Sequence, residues 1–210
     1  MSRTKKTMKV INILLVFTLI FSIFSNFESF SAYAASAWKG YAVYRDGVVG
    51  DLNDHAALMD TNSISEYKPI IHAVGYGDVV QWDTWDNFLG GNNYLGIYKP
   101  KNCTITSTLA GSFISKAREL RGISYNLLDQ IVYSAGSNTW VYPENISHLR
   151  CDGVVEYVYE WYGYRVGGPD GEWDITRNLT ANYWEHSGFS ITPRKQNREL
   201  LTFVSSSVPN

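Results

Sequence analysis

The sequence predicts an α+β domain, because its strand-like segments come first and its helical segments follow. Before residue 100, short apolar or alternating runs are separated by glycine, asparagine and aspartate, which is typical of strands and turns. After residue 105, apolar side chains recur at helical spacing instead. Strands followed by helices, rather than strict alternation of the two, indicate the α+β class.

Five strands are predicted in the first half of the chain, and a sixth near its end. The first five are Tyr41–Tyr44, His55–Met59, Pro69–Val74, Asp78–Trp82 and Tyr94–Tyr98. Between the last two of these, Asn87–Asn93 is rich in glycine and asparagine and predicts a turn. Leu200–Val204 predicts a strand that closes the domain.

Three helices are predicted in the second half. Apolar residues from Leu109 to Leu120 mark one face of a helix that stops at Gly122. Tyr125–Tyr133 is interpreted as a second, short helix. The third begins near Cys151, because apolar residues recur at helical spacing from Val154 onward.

The N-terminal residues 1–34 resemble a secretory signal peptide, which leaves residues 35–210 as a single domain. Basic residues precede an apolar stretch, Val10–Phe24, and Ala32-Tyr33-Ala34 places small residues where signal peptidase cuts. The apolar stretch is short for a membrane span, which needs about 20 residues. We therefore expect an exported protein, either released or held at the cell wall, that keeps no membrane span after cleavage.

The charge pattern argues against nucleic acid as a partner. The whole chain has a formal net charge of −2, and outside the leader its basic residues are scattered, Arg194, Lys195 and Arg198 included. Binding to phosphates needs a basic face. No nucleic-acid partner is therefore expected, and the sequence leaves the oligomeric state open.

Cys151 is the candidate nucleophile, because it lies where a loop becomes an amphipathic helix. The positive end of a helix dipole favours thiolate over thiol, and the thiolate is the attacking species. Four histidines are available to hold its proton. His55 and His72 lie on consecutive predicted strands, so two imidazoles would lie side by side next to the helix of Cys151.

Four segments, taken in order, resemble the circularly permuted papain-like hydrolases, the YiiX-like and LRAT-like relatives of NlpC-type cell-wall peptidases. The segments are Asp54–Met59, Ile70–Val74, Arg121–Asn126 and Arg150–Val155. In permuted members the histidine strand comes before the cysteine helix, as it does here. The resemblance spans about residues 40 to 165 and implies a permuted papain-like fold, in which an antiparallel sheet with the histidines packs against the helix with the cysteine.

The resemblance also implies a role for each site residue. Cys151 would be the nucleophile, His55 the general base and His72 the residue that orients His55. Tyr125 occupies the position of a tyrosine whose hydroxyl helps to stabilise the oxyanion. The implied function is an exported cysteine hydrolase that cuts an amide bond in peptidoglycan peptides, or in another small amide substrate, through an acyl-enzyme. The family needs no cofactor.

Two departures and two alternatives remain open at this stage. Asp-Gly follows Cys151 where the family usually has Ser-Gly or Ser-Glu, and the last 45 residues match no known pattern. One alternative is a thiol acyltransferase or lipid and ester hydrolase of the LRAT-like kind. The other is a non-catalytic wall- or ligand-binding module with a disulfide between Cys103 and Cys151. No metal site is expected, because no complete set of zinc ligands stands at ligand spacing.

Overall fold

A six-stranded antiparallel sheet forms the centre of the protein. The computed structural model describes residues 37–48, 52–167, 175–178 and 186–210, and residues 36–210 form one unit. The strands are β1 (Ala42–Arg45), β2 (His55–Met59), β3 (Ile70–Ala73), β4 (Val80–Asp83), β5 (Tyr94–Pro100) and β9 (Leu201–Ser205). Their spatial order is β4-β3-β2-β1-β5-β9, with every neighbouring pair antiparallel. The predicted leader, residues 1–34, lies outside the described residues.

Both faces of this sheet are covered, which explains why its central strands are apolar runs. Every residue of β2 and β3 is buried. Successive side chains of a strand point to opposite faces. Accordingly, Ala56 and Leu58 belong to the main apolar cluster, whereas Ala57 and Met59 belong to a second cluster behind the sheet. The predicted α+β class and the antiparallel sheet packed against helices are confirmed.

The main cluster is built on two helices, both of which the sequence predicts. They are α2 (Ser107–Glu119) and α3 (Cys151–Trp161). The α3 helix packs against β2, and its residues 151–160 are all buried. The helices contact each other through the edge-to-face rings of Phe113 and Tyr159, 4.9 Å apart, and through Lys116 above the ring of Trp161.

A short helix, α1 (Trp85–Leu89), occupies part of the segment predicted to be a turn. The prediction for Asn87–Asn93 was wrong in its first half. The Thr84 hydroxyl accepts a hydrogen bond from the Asn87 N–H and caps this helix, and Gly90 ends it in the left-handed conformation. The helix places Phe88 in the second cluster, beneath the sheet.

The predicted short helix at Tyr125–Tyr133 was wrong, because this segment contributes two strands to a second sheet. Its strands are β6 (Ser124–Tyr125), β7 (Ile131–Tyr133) and β8 (Ile146–Leu149), in the order β6-β8-β7. The middle strand, β8, pairs with β6 in parallel and with β7 in antiparallel orientation. Strand β8 leads directly into α3 and so fixes the position of Cys151.

The C-terminal segment returns to the main sheet. The predicted closing strand is confirmed as β9, which pairs with β5. It follows a three-residue helix, α4 (Pro193–Lys195), and a π-helix, Gln196–Leu200. Within the described part of the chain, no helix combines the length and the apolar character needed to cross a membrane.

Candidate active site

Cys151 is the first residue of α3 and is almost completely buried. Its position at a helix N-terminus is as predicted. The sulfur lies close to the backbone N–H groups of Ala56 and Asp152, which both favour the thiolate. Ala56 is the residue that follows His55 on β2, so the structure brings the candidate nucleophile to the start of the candidate base's own strand.

The thiol is nevertheless held in its neutral form. Burial raises the pKa of Cys151 to about 12, and the neighbouring Asp152 carboxylate acts in the same direction. The backbone N–H groups and the Arg150 guanidinium oppose this shift but do not overcome it. The helix terminus favours the thiolate as expected, but in the resting protein desolvation is the larger effect.

The two predicted histidines form a direct pair. His55 Nε2 and His72 Nδ1 are 2.7 Å apart, and both rings are buried. On the far side of His72, its Nε2 lies 3.6 Å from Oδ2 of Asp83, which is longer than a hydrogen bond. His55, His72 and Asp83 come from β2, β3 and β4, so three adjacent strands supply one line of polar groups.

The Asp83 carboxylate determines which nitrogen of each ring carries the proton. Its interaction with His72 holds the pKa of Asp83 at about 2, so at neutral pH Asp83 can only accept. The His72 proton therefore belongs on Nε2, which leaves Nδ1 as the acceptor for His55. The His55 proton then belongs on Nε2, and the lone pair of His55 is on Nδ1. This is the protonation state that a general base needs.

Both imidazoles are kept neutral by their surroundings. Burial lowers the pKa of His55 well below its ordinary value of 6.5, and His72 and Arg45 add to this effect. Burial also lowers the pKa of His72, although Asp83 partly opposes it. At neutral pH the site therefore holds a thiol and two uncharged imidazoles.

The structure does not place the His55 ring in hydrogen-bond contact with the Cys151 sulfur. The ring packs 5.8 Å from that of Phe88, in the cluster behind the sheet, whereas α3 covers the opposite face. Arg45 connects the two sides. It pairs with His55 across β1 and β2, and its charge acts on both imidazoles. Burial lowers the pKa of Arg45, and Cys151 partly opposes this shift.

Tyr125, the predicted oxyanion-stabilising residue, lies on β6 near the sulfur. Burial raises the pKa of its phenol, and the proximity of Cys151 raises it further. The hydroxyl therefore keeps its proton and can donate it in a hydrogen bond. Of the four residues expected from the sequence, the structure joins His55 to His72 and brings Tyr125 and the backbone beside His55 close to Cys151.

A buried ion pair fixes the start of α3, and sequence reasoning did not find it. Arg150 Nε and Nη2 donate to both oxygens of Asp152, at 2.7 and 3.0 Å, and neither side chain is exposed. The same guanidinium donates to the backbone carbonyls of Gly188 and Ile191. The unusual aspartate after Cys151 therefore anchors the C-terminal segment to the helix.

A buried polar network continues along the inner face of α3. Glu156 Oε2 accepts from the amides of Gln130 and Gln196, and its Oε1 lies 3.1 Å from His186 Nε2. One turn on, Glu160 accepts from the backbone N–H groups of Val166, Gly167 and Ile175.

Glu156, Glu160 and His186 lie close enough together to hold a metal ion. However, protein donors already occupy the two carboxylates, which is the pattern of a structural network that ties loops to the helix.

Cys103 and Cys151 are both buried and free, so the structure contains no disulfide between them. Burial raises the pKa of Cys103, and Lys99 partly opposes the shift. No described contact links Cys103 to the imidazole pair.

Asp83 and Arg45 are the polar neighbours that sequence reasoning missed. The available signal was the strand period: Asp83 ends the strand that pairs with His72, and Arg45 ends the strand that pairs with His55.

Comparison with known proteins gave no match: no protein family, no curated protein and no solved structure is significantly similar to this chain.

Proposed function

We propose that this protein is an exported cysteine hydrolase with a circularly permuted papain-like fold, which cleaves an amide bond in peptidoglycan peptides. Cys151 is the nucleophile, His55 the general base and His72 the residue that orients His55. The reaction proceeds through an acyl-enzyme. Export follows from the predicted leader, residues 1–34, and the peptide substrate follows from the resemblance to cell-wall peptidases.

One observation carries the proposal: His55 Nε2 and His72 Nδ1 are in direct contact, from which we infer that the free lone pair of His55 is on Nδ1. The 2.7 Å contact uses Nε2 of His55, and the Asp83 charge beyond His72 determines the tautomer. The remaining nitrogen lies next to the backbone of its own residue. The N–H of the following residue, Ala56, reaches the Cys151 sulfur.

Catalysis begins when the Cys151 thiol and His55 Nδ1 come into contact. Because both groups are neutral at rest, proton transfer accompanies attack instead of preceding it. The Sγ–H proton moves to Nδ1 as the sulfur–carbon bond forms at the substrate carbonyl. Because α3 and the His55 ring lie on opposite faces of the sheet, this contact requires the backbone at the start of β2 to move when substrate binds; rotation of a side chain is not enough.

Two donors lie near the position where the oxyanion forms. The backbone N–H of Cys151 is in the first turn of α3, where no intrahelical acceptor is available. The protonated Tyr125 hydroxyl supplies the second donor. The leaving amine takes the proton from His55 Nδ1 as the carbon–nitrogen bond breaks. Water, activated by the same imidazole, then hydrolyses the thioester and restores the thiol.

The direct test is digestion of purified peptidoglycan peptides by the secreted protein and two matched cysteine variants. We expect Cys151→Ala to lower the rate at least about 10³-fold, because removal of a nucleophile removes the covalent route. Cys103→Ala should keep the activity, since this residue lies outside the imidazole pair. Release of new amino groups, measured with mass spectrometry of the products, checks both.

The unfolding temperature of each variant separates loss of chemistry from loss of structure. Activity that survives in a folded Cys151→Ala variant would refute the assignment. Cleavage of esters but not of amides by the unmodified protein would instead indicate the LRAT-like chemistry.

A further inference from the structure

A cleft of about 420 Å³ presents charges of both signs to one small volume. Acidic groups come from the loops at the ends of β1 and β2, and basic groups come from α4 and the π-helix. The residues that the argument uses are Asp46, Asp54, Tyr98, Arg194, Asn197 and Arg198. A cleft of this size can take one or two amino-acid residues, but not a folded partner.

The charges in this cleft are not neutralised by one another. Among the described residues, no ion pair joins Asp46 or Asp54 to Arg194 or Arg198. Asp46 is ionised, because hydrogen bonds from the side chain and the backbone of Asn93 lower its pKa. Arg194 and Arg198 each contribute a guanidinium cation. A ligand with one positive and one negative end would therefore find a complement for each.

The chain connects the cleft to the candidate nucleophile. Asp54, which lines the cleft, comes just before β2 and is two residues from Ala56, whose N–H contacts the Cys151 sulfur. On the opposite wall, the Asn197 amide donates to Asp54 Oδ2 at 2.7 Å.

The π-helix connects this wall to the helix of Cys151. Gln196 turns inward, where its amide donates to the Asp152 carbonyl and to Glu156 and its Oε1 accepts from the Tyr44 hydroxyl. The next residues, Asn197 and Arg198, line the cleft. The π-helical turn thus places the Gln196 side chain under α3 and the side chains of Asn197 and Arg198 in the cleft. Turns of this kind are frequent at functional sites.

We propose that this cleft binds a short zwitterionic peptide, with its C-terminal carboxylate on Arg194 and Arg198 and its N-terminal ammonium on Asp46. As the recognition site of the hydrolase, this inference rests on the proposed function and specifies its substrate class: short peptides in which both ends are free. Binding itself does not depend on the chemistry, so the two claims can fail separately.

The test uses the full mature chain as the inert Cys151→Ala variant and L-alanyl-L-alanine as the probe. Binding is followed by two-dimensional ¹H–¹⁵N NMR, with the signals of Asn53, Asn197 and Tyr98 as reporters. We expect saturable shifts at these residues. In this background, Arg194→Ala or Arg198→Ala should weaken binding at least about tenfold, because each removes a charge-assisted hydrogen bond. Lys195→Ala is the matched control: it removes a charge from the same helix, but its side chain does not line the cleft.

The blocked dipeptide L-alanyl-L-alanine amide provides the second arm. It should bind the parent at least about tenfold more weakly, and the arginine variants should weaken it little further, since its carboxylate is already absent. If the amide binds as tightly as the free acid, or if the free acid produces no shifts at millimolar concentration, the inference is overturned. Binding with no turnover by the unmodified protein would remove the hydrolase and keep the cleft as a zwitterion site.

Discussion

At the scale of single residues, His72 is the position on which the proposed chemistry depends most after Cys151. It connects the Asp83 charge to the His55 ring, so it acts through His55 and is a positioning residue. Its role predicts that the shape and the acceptor of the side chain matter more than its charge. A glutamine can present an acceptor oxygen to His55 Nε2, whereas an alanine cannot.

We therefore expect His72→Ala to lower kcat about 10²-fold with little change in KM, and His72→Gln to restore a large part of that loss. Steady-state kinetics over a pH series checks this, because a misoriented His55 should also change the acid limb of the profile. Equal activity in the two variants, at matched unfolding temperature, would show that His72 fills space only.

The residue scale also shows what the sequence can predict about the site and what it cannot. Cys151 is recognisable because helix periodicity starts there, and His55 and His72 because they interrupt or begin apolar strands. Asp83 is not recognisable in this way. It ends an alternating strand, and the sequence there would look the same if its carboxylate faced only solvent. The raised pKa of Cys151 was also missed, since full burial depends on packing from distant segments.

At the scale of elements, α3 is buried over residues 151–160, and this close packing explains why glycine occupies position 153. Gly153 lies in the first turn, where a Cβ would overlap the backbone carbonyl oxygen of Gln130. That carbonyl cannot move easily, because it accepts the Arg150 N–H at 3.0 Å. Gly153 is therefore required, because the loop that precedes β7 approaches the helix closely at Gln130.

This contact predicts opposite effects for the same substitution in two helices. Gly153→Ala should destabilise the protein by about 1–3 kcal/mol through overpacking, despite the better helix propensity of alanine. Gly111→Ala in α2, where a Cβ meets no atom within 4 Å, should stabilise it by about 0.5–1 kcal/mol. Urea unfolding of both variants gives the comparison; a stabilised Gly153→Ala would mean that α3 does not approach Gln130 this closely.

The two errors in element prediction share one physical cause. Local patterns favoured a helix at Tyr125–Tyr133 and a turn at Asn87–Asn93, but tertiary pairing decided both. Strand β8 has free hydrogen-bonding groups on both edges, and the two ends of the Tyr125–Tyr133 segment pair with them as β6 and β7. The helix at Trp85–Leu89 is capped by Thr84. One capping residue is a weak sequence signal beside the glycines and asparagines that follow, which favour a turn.

At the scale of the whole molecule, burying the imidazole pair makes stability depend on pH. Folding lowers the pKa of both His55 and His72 below the ordinary value of 6.5. As pH falls through 6.5, the unfolded chain takes up protons that the folded chain resists, so stability is complete above that pH and declines below it. Asp83 adds a further loss only between about 3.8 and about 2.

We therefore expect the free energy of unfolding, measured in urea, to fall steadily between pH 6.5 and pH 5. In His55→Gln and His72→Gln variants this decline should be shallower, because one buried titrating group is absent. A pH-independent stability over this range would contradict the neutral, buried pair on which the site description depends.

The α+β class, the first five strands of the main sheet and the two long helices could be predicted from the sequence, because hydrophobic period is a local property. The position of the last segment could not, because its contacts with α3 run through Gln196 and Arg150, whose partners lie far away along the chain. The permuted papain-like assignment remains a proposal that rests on the order of the elements and on the His55–His72 pair.

The measurement that tests the central claim most directly is capture of the acyl-enzyme. Protein and peptidoglycan peptides would be mixed, quenched in acid within seconds and analysed by intact and peptide-level mass spectrometry. We predict a mass increase equal to the acyl part of the substrate, carried by Cys151 as a thioester, absent in Cys151→Ala and retained in Cys103→Ala. Hydrolysis without any adduct on Cys151, or an adduct on Cys103, would contradict a mechanism in which Cys151 is the nucleophile.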